Sequence, residues 1–307
     1  MITKCNKDCL ILDEIKAFID SKRAGGLSTP TLDNYLISIN KFVKDNDLTT
    51  ANCSLLTKQL VNTWITSLID SQINANTLKH YVRDVRVFLY YLMDNDVIPY
   101  FKVKVPTLQD EYSLNIYTED EVSLLLAKPN KSDPYWLWRC WLTCNILVAT
   151  GARIGSLCNL HKSDITDDTI TFNKTKTKKV LTLPLSPALK QAINLYNSTW
   201  DIDSDLLFLS TKTEEGLTSR TAYHSFEKYC QARGVPFRGL HSFRHFVALQ
   251  LYKQGVDIVT IQTLLCHSSI TQTREYMGKL TGQDLPKNFV SLLDRLTQAK
   301  HKITRKA

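Results

Sequence analysis

Three segments in the second half of the chain carry side chains suited to chemistry on an anion. The first runs Ala149-Thr150-Gly151-Ala152-Arg153, where an arginine follows a glycine at the end of an apolar helical stretch and so can point into a cleft. The second is Gly239-Leu240-His241-Ser242-Phe243-Arg244-His245. On a helix His241 and Arg244 share a face and can hold one anion together, whereas His245, one step on, is expected to point elsewhere. In the third, His267 and Tyr276 are separated by hydroxyl-rich residues that read as turn material. These residue types fit chemistry at an anionic centre. Two guanidiniums offset negative charge there without a metal, since each is permanently charged and offers forked donors. A tyrosine hydroxyl, with an ordinary pKa of about 10, needs a base or a positive field beside it to attack. Taken singly, each segment says little. A lone arginine is usually a surface residue, H-x-x-R arises often by chance, and an isolated tyrosine is more often core than nucleophile.

The elements that must position these groups follow from periodicity and punctuation. Ser28-Thr29-Pro30 is a helix start, and Leu32, Tyr35, Leu36, Ile39, Phe42 and Val43 follow at helical spacing. Leu55 to Ile69 is again apolar at helical intervals, and a further helix spans about Asn76 to Met93. Thr31-Leu32-x-x-Tyr35-x-x-x-Ile39-x-x-Phe42 recurs as Thr77-Leu78-x-x-Tyr81-x-x-x-Val85-x-x-Phe88, either a duplicated hairpin or two helices meeting one packing need. Lys79, Arg83 and Arg86 step along one basic face, open to solvent or to phosphates. Pro99 and Pro106 fall in an aperiodic stretch that reads as an interdomain linker. The expected organisation is a helical domain over 1–105, a linker over 106–116, a second domain over 117–280, and a C-terminal segment with a basic tail over 281–307. Thr118-x-x-Glu121 is a capping box opening the second domain, and the helix Trp136 to Thr150 is apolar nearly all round, the pattern of a buried spine. Thr169–Phe172 and Val180–Leu185 alternate as two strands. The tip between them carries Lys174, Lys176, Lys178 and Lys179, and the chain from Ser186 onward is mainly helical.

Composition bounds what such a chain can be. Of its 307 residues, 43% are hydrophobic, enough for a sizeable core. Lysine and arginine number 38 against 30 acidic residues, a formal charge of +8 that attracts polyanions, nucleic acid being the commonest. No apolar run approaches the ~20 residues that span a bilayer, and the N-terminus lacks a secretory pattern, so no membrane partner and a cytoplasmic location are expected. Eight cysteines form no C-x-x-C pair, which fits buried reduced thiols better than zinc or disulfides. No Walker A sequence is present, and neither a metal nor a nucleotide cofactor is expected.

In this order and spacing the segments resemble the tyrosine recombinase (phage integrase) family, most closely from Thr118 to Tyr276, with His267-Ser268-Ser269-Ile270-Thr271-x-Thr273-x-x-Tyr276 especially similar. The resemblance implies a mainly α fold with a small antiparallel sheet. A helical core-binding (SAM-like) domain and a mixed catalytic domain would close on DNA as a C-shaped clamp. It implies Tyr276 as nucleophile, Arg153 and Arg244 on the phosphate, His241 as proton acceptor, His267 on the non-bridging oxygens, and a hairpin lysine as proton donor to the leaving 5′-oxygen. Lys176 is the expected donor from its spacing before Leu183-Pro184-Leu185, with Lys174, Lys178 and Lys179 as alternatives or phosphate contacts. Expected partners are double-stranded DNA carrying two recombination sites and a homotetramer in which the C-terminal segment docks in trans, with accessory proteins left open. The short stretch before residue 10 leans toward a dimer resolvase or a compact mobile-element integrase. Two positions depart from the family pattern. Ser156 stands where an acidic residue supports the first arginine, and Cys266 replaces the glycine before His267, so its backbone must avoid a positive φ or accept strain. Other readings are a type IB topoisomerase-like relaxase and a catalytically idle DNA-binding regulator.

Overall fold

The computed structural model describes residues 9–108, 115–173, 180–200, 202–210, 215–267 and 269–281. The chain divides into two compact units, Met1–Tyr112 and Ser113–Ala307. Both ends of the connecting stretch are held by their own unit. The Leu108 carbonyl accepts from Lys79 Nζ at 2.7 Å, and the Asn115 carbonyl accepts from Ser242 Oγ at 2.9 Å.

The first unit is helical: α1 (Ile11–Ala24), α2 (Thr29–Asp45), α3 (Lys58–Asp70) and α4 (Ala75–Asp94). α2 starts behind Ser28 with Pro30 in its first turn, where the missing N–H costs nothing. The recurring pattern marks the packed faces of α2 and α4. Ile39, Phe42, Leu78, Val85 and Phe88 are all buried in one core. The Phe18 ring of α1 closes that core edge-on against Phe88 at 5.4 Å. Burying each such side chain stabilises the unit by roughly 1.5–3 kcal/mol. A carboxyl also lies inside: Asp84, 5% exposed, accepts from the Ser38 hydroxyl at 2.9 Å and so ties α4 to α2.

The second unit begins with α5 (Glu119–Leu126), opened by the capping box in which Thr118 Oγ1 accepts from the Glu121 N–H at 3.2 Å and Glu121 accepts from the Thr118 N–H at 2.9 Å. Its spine is α6 (Tyr135–Thr150), buried from Trp138 to Cys144 and again at Ile146, Leu147 and Thr150. The buried Arg139 keeps its charge inside by donating to the Leu209 carbonyl at 2.6 Å and Ser225 Oγ at 2.8 Å. Cys140, Cys144, Cys158 and Cys230 are buried free thiols of this core. After the short α7 (Ile154–Leu157), strands β1 (Thr169–Phe172) and β2 (Leu181–Pro184) pair antiparallel, Thr169 opposite Pro184 and Phe172 opposite Leu181. β2 is one residue shorter at each end than Val180–Leu185 predicts. Helices α8 (Pro187–Thr199), α9 (Ser219–Ala232), α10 (His241–Lys253), α11 (Ile258–Leu264) and α12 (Ile270–Thr281) follow. The protein is thus mainly helical with a small antiparallel sheet. Among the described residues no helix is long and apolar enough to cross a membrane.

One element differs from expectation. Of the hydroxyl-rich residues before Tyr276, Thr271 and Thr273 are not turn material but lie in the opening of α12, so Tyr276 sits inside a helix. Serine and threonine read as turn because they compete for backbone hydrogen bonds. Here tertiary contacts decide: Thr273 is fully buried and Met277 is 4% exposed.

Candidate active site

The ends of several helices bring the chemistry together. Gly151 ends α6 with φ 61° and donates its N–H to the Leu147 carbonyl at 2.9 Å, a left-handed cap that suits glycine. The chain then turns so that Arg153 becomes the N-cap residue of α7. α10 begins at His241, which places His241 and Arg244 in its first turn. Ser242 fixes that start, its hydroxyl accepting from the Tyr117 N–H at 3.1 Å while donating to the Asn115 carbonyl. Arg238, just before α10, forms a forked ion pair with Glu121 at 2.9 and 2.6 Å and holds the same region to α5.

Arg244 is 3% exposed. It donates to the Gly151 carbonyl at 2.9 Å and to the Leu265 carbonyl, satisfying the ends of α6 and α11 and leaving guanidinium donors to spare. α11 closes with a Schellman motif. The His267 N–H reaches the Gln262 carbonyl at 3.1 Å, the Cys266 N–H reaches the Thr263 carbonyl at 3.0 Å, and Cys266 takes the left-handed position with φ 46°. The positive φ is therefore accepted at Cys266, not avoided, because the cap that aims His267 inward requires it. His267, 8% exposed, is then held by a hydrogen bond between Nδ1 and Thr273 Oγ1 at 3.0 Å. That bond joins the turn to α12.

Tyr276 meets two histidines. The His245 ring stacks on it at 5.0 Å with 19° between planes, and the His267 ring approaches edge-on at 5.3 Å. His241 meets His245 edge-on at 4.8 Å, so it joins the cluster through that ring. Behind the phenol lies a small apolar cluster of Ala248, Ile261, Leu265 and Met277. The Tyr276 hydroxyl is buried with no hydrogen-bond partner among the described residues.

Charges in this cluster act on one another. Burial, then Arg244 and Arg153, pull His267 down to about 4. His241 is lowered by loss of water, then by His245, Arg244, Arg153 and His267, although the residue keeps solvent contact that screens those charges. The positive end of the α10 dipole acts in the same direction. His245 is lowered by burial and by Arg244. All three rings are therefore neutral near pH 7. Burial raises the Tyr276 phenol, while Arg244 and Arg153 oppose that rise. The arrangement sets two fixed cations and neutral imidazoles around a protonated phenol, a set suited to an anionic phosphate.

The structure brings together Arg153, His241, Arg244, His267 and Tyr276. It corrects the expectation for His245, which does not point elsewhere. It follows His241 by four residues and so shares its helical face, a relation as close as the one between His241 and Arg244. Thr273 belongs to the motif that carries the resemblance, but its role as the anchor of His267 needs the three-dimensional contact. Ser156 is buried, and its N–H bonds the Arg153 carbonyl at 2.9 Å. Lys174, Lys176, Lys178 and Lys179 lie outside the described residues, as does the C-terminal segment beyond Thr281. On α4, Arg83 is exposed but engages Asp84 at 3.3 Å and His80 at 2.8 Å, Lys79 donates to Leu108, and Arg86 is half-buried.

Comparison with known proteins adds the lineage. Residues 115–282 match the phage integrase family. A tyrosine recombinase XerC of Chlamydia caviae is 26% identical over 87% of this chain and 86% of its own length. A tyrosine recombinase XerA of Thermococcus onnurineus is 33% identical over 46% of this chain and 51% of its own. Among solved structures, a lambda integrase dimer bound to a COC' core site covers 92% of this chain and 81% of that one, with a TM-score of 0.73 at 22% identity.

Proposed function

The chain belongs to the phage integrase family, and on that premise we propose that it is a tyrosine site-specific recombinase that cuts and rejoins double-stranded DNA through Tyr276. The observation that carries this reading is the convergence of Tyr276 with Arg244, Arg153, His267 and His241 from four separate parts of the chain. In the proposed reaction the Tyr276 oxygen attacks the scissile phosphorus and forms a P–O bond. The bond to the 5′-oxygen breaks, leaving a 3′-phosphotyrosyl link and a free 5′-hydroxyl. His241, neutral at pH 7, takes the phenol proton and returns it in the reverse step. Arg153 and Arg244 neutralise the phosphorane, and preorganised donors of this kind are typically worth about 3–4 kcal/mol each. His267 donates from Nε2 to a non-bridging oxygen, which requires Nδ1 to accept from the Thr273 hydroxyl. Lys176 protonates the leaving oxygen. Because the Tyr276 hydroxyl is buried without a partner among the described residues, attack includes an advance of the phenol toward the arginines.

The phosphotyrosyl link conserves the energy of the broken bond, so the 5′-hydroxyl of a partner strand reverses the step and strands exchange through a Holliday junction. Such exchange brings two DNA sites together in a homotetramer, with residues 281–307 docking on a neighbour. The helical first unit would contact the duplex through phosphates at Arg83 and Arg86. The test starts from a randomised library of nicked duplexes, in which the nick lets the short fragment bearing the freed 5′-hydroxyl diffuse away and traps the covalent complex. Recovery of adducts with a common sequence, followed by exchange between two copies of that sequence, supports recombination. Adduct formation and relaxation without exchange would indicate a relaxase, and tight binding without any adduct a regulator.

A further inference from the structure

We infer that His245 is a positioning residue for the nucleophile, holding the plane of the Tyr276 ring by stacking on it. The inference rests on the proposed role of Tyr276 and goes beyond it, since the proposed reaction gives His245 no task. Three observations carry it. The two rings lie nearly parallel, 19° apart at 5.0 Å, whereas the other ring on Tyr276, His267, meets it at 75° and 5.3 Å. His245 in turn abuts His241 at 4.8 Å, so one imidazole touches both the nucleophile and the proposed proton acceptor. Finally, His245 Nδ1 is buried with no hydrogen-bond partner among the described residues. A buried polar atom left unpaired is costly. No hydrogen bond at Nδ1 therefore accounts for the place of this ring, which leaves its contacts with Tyr276 and His241 to do so.

The physics of the stack fits a nucleophile that must advance. Offset parallel rings resist tilting and tolerate sliding within their shared plane. The apolar residues behind Tyr276 limit retreat of the ring, and the stack limits its roll. The hydroxyl then moves toward the phosphate along one plane instead of sweeping a cone. Because α10 supplies Arg244 and His245 in succession, one helix sets the phosphate ligand and the ring plane together. A misplacement of about 1 Å at a reacting atom costs on the order of 100-fold in rate.

The test measures single-turnover adduct formation on a nicked duplex recovered by covalent capture, beside duplex affinity and melting temperature. His245→Ala is expected to slow adduct formation by about 10- to 100-fold with duplex affinity within about 2-fold of the parent. His245→Phe, which keeps the stack and removes both nitrogens, is expected to recover most of the rate with an unchanged pH profile. Parent-like cleavage in His245→Ala overturns the inference, and so does faster cleavage, which would mean that the stack restrains Tyr276. A His245→Phe variant that stays folded yet cleaves as slowly as His245→Ala also overturns it, assigning the nitrogens the role. If the unsubstituted protein forms no adduct on any duplex, the recombinase reading fails and this inference with it. Adduct formation by the unsubstituted protein keeps that reading intact whatever the His245 variants do.

Discussion

At the scale of single residues, the site is governed by what burial and two arginines do to their neighbours. His267 is neutral in the folded state down to about 4, whereas an unfolded imidazole takes its proton near 6.5. The unfolded chain therefore binds the proton first. Stability is undiminished by this group above about pH 6.5 and falls as pH drops toward 4, by an amount on the order of 3 kcal/mol. Melting temperatures between pH 7 and 4 check this: His267→Gln should flatten the slope relative to the parent, and an identical slope would place the titration elsewhere. Thr273 is the other residue-scale test. Its hydroxyl fixes the His267 ring, and a hydrogen bond of this kind is worth about 1 kcal/mol. Thr273→Val keeps the volume and should slow adduct formation roughly 5- to 10-fold with little change in duplex affinity; a parent-like rate would remove the hydroxyl from the account. Arg153, His241, Arg244, His267 and Tyr276 were legible from residue type, order and spacing. His245 was not, although the four-residue step from His241 pointed to it. Reading helix faces from Arg244 alone sent it outward, and only the packing of α12 against α10 reveals its partner.

At the scale of elements, the Schellman turn between α11 and α12 does the aiming. Its left-handed position holds Cys266 at φ 46°, a conformation that costs an L-residue about 1 kcal/mol or more and costs glycine little. Cys266→Gly should therefore raise the melting temperature by about 2–4 °C, less whatever the more flexible unfolded chain gives back. Thermal unfolding decides it, and a clear drop would mean that the cysteine side chain contributes packing that outweighs its backbone cost. Elements with strong local signals were readable in advance. The Thr118–Glu121 box, the apolar α6 and the alternating β1 and β2 each combine a period with punctuation. The start of α12 was not, because Ser269, Thr271 and Thr273 favour turns locally. Burial of Thr273 and Met277 overrides that preference through contacts distant in sequence.

At the scale of the whole molecule, a net charge of +8 and two compact units suit a protein that grips a polyanion. Charge alone names no reaction, and the proposed phosphotyrosyl chemistry rests on the second unit. The lineage was legible because several short motifs recur in one order, each weak and together specific. The extent of the site was not, because stacking and capping contacts leave no period in a sequence. The most direct measurement digests the covalent protein–DNA complex formed on a captured nicked duplex and locates the nucleotide-bearing peptide by mass spectrometry. The expected result is a 3′-phosphotyrosyl link at Tyr276 and loss of the complex in Tyr276→Phe, with duplex binding retained. A complex that persists in Tyr276→Phe, or a nucleotide mapped to any other residue, would contradict it.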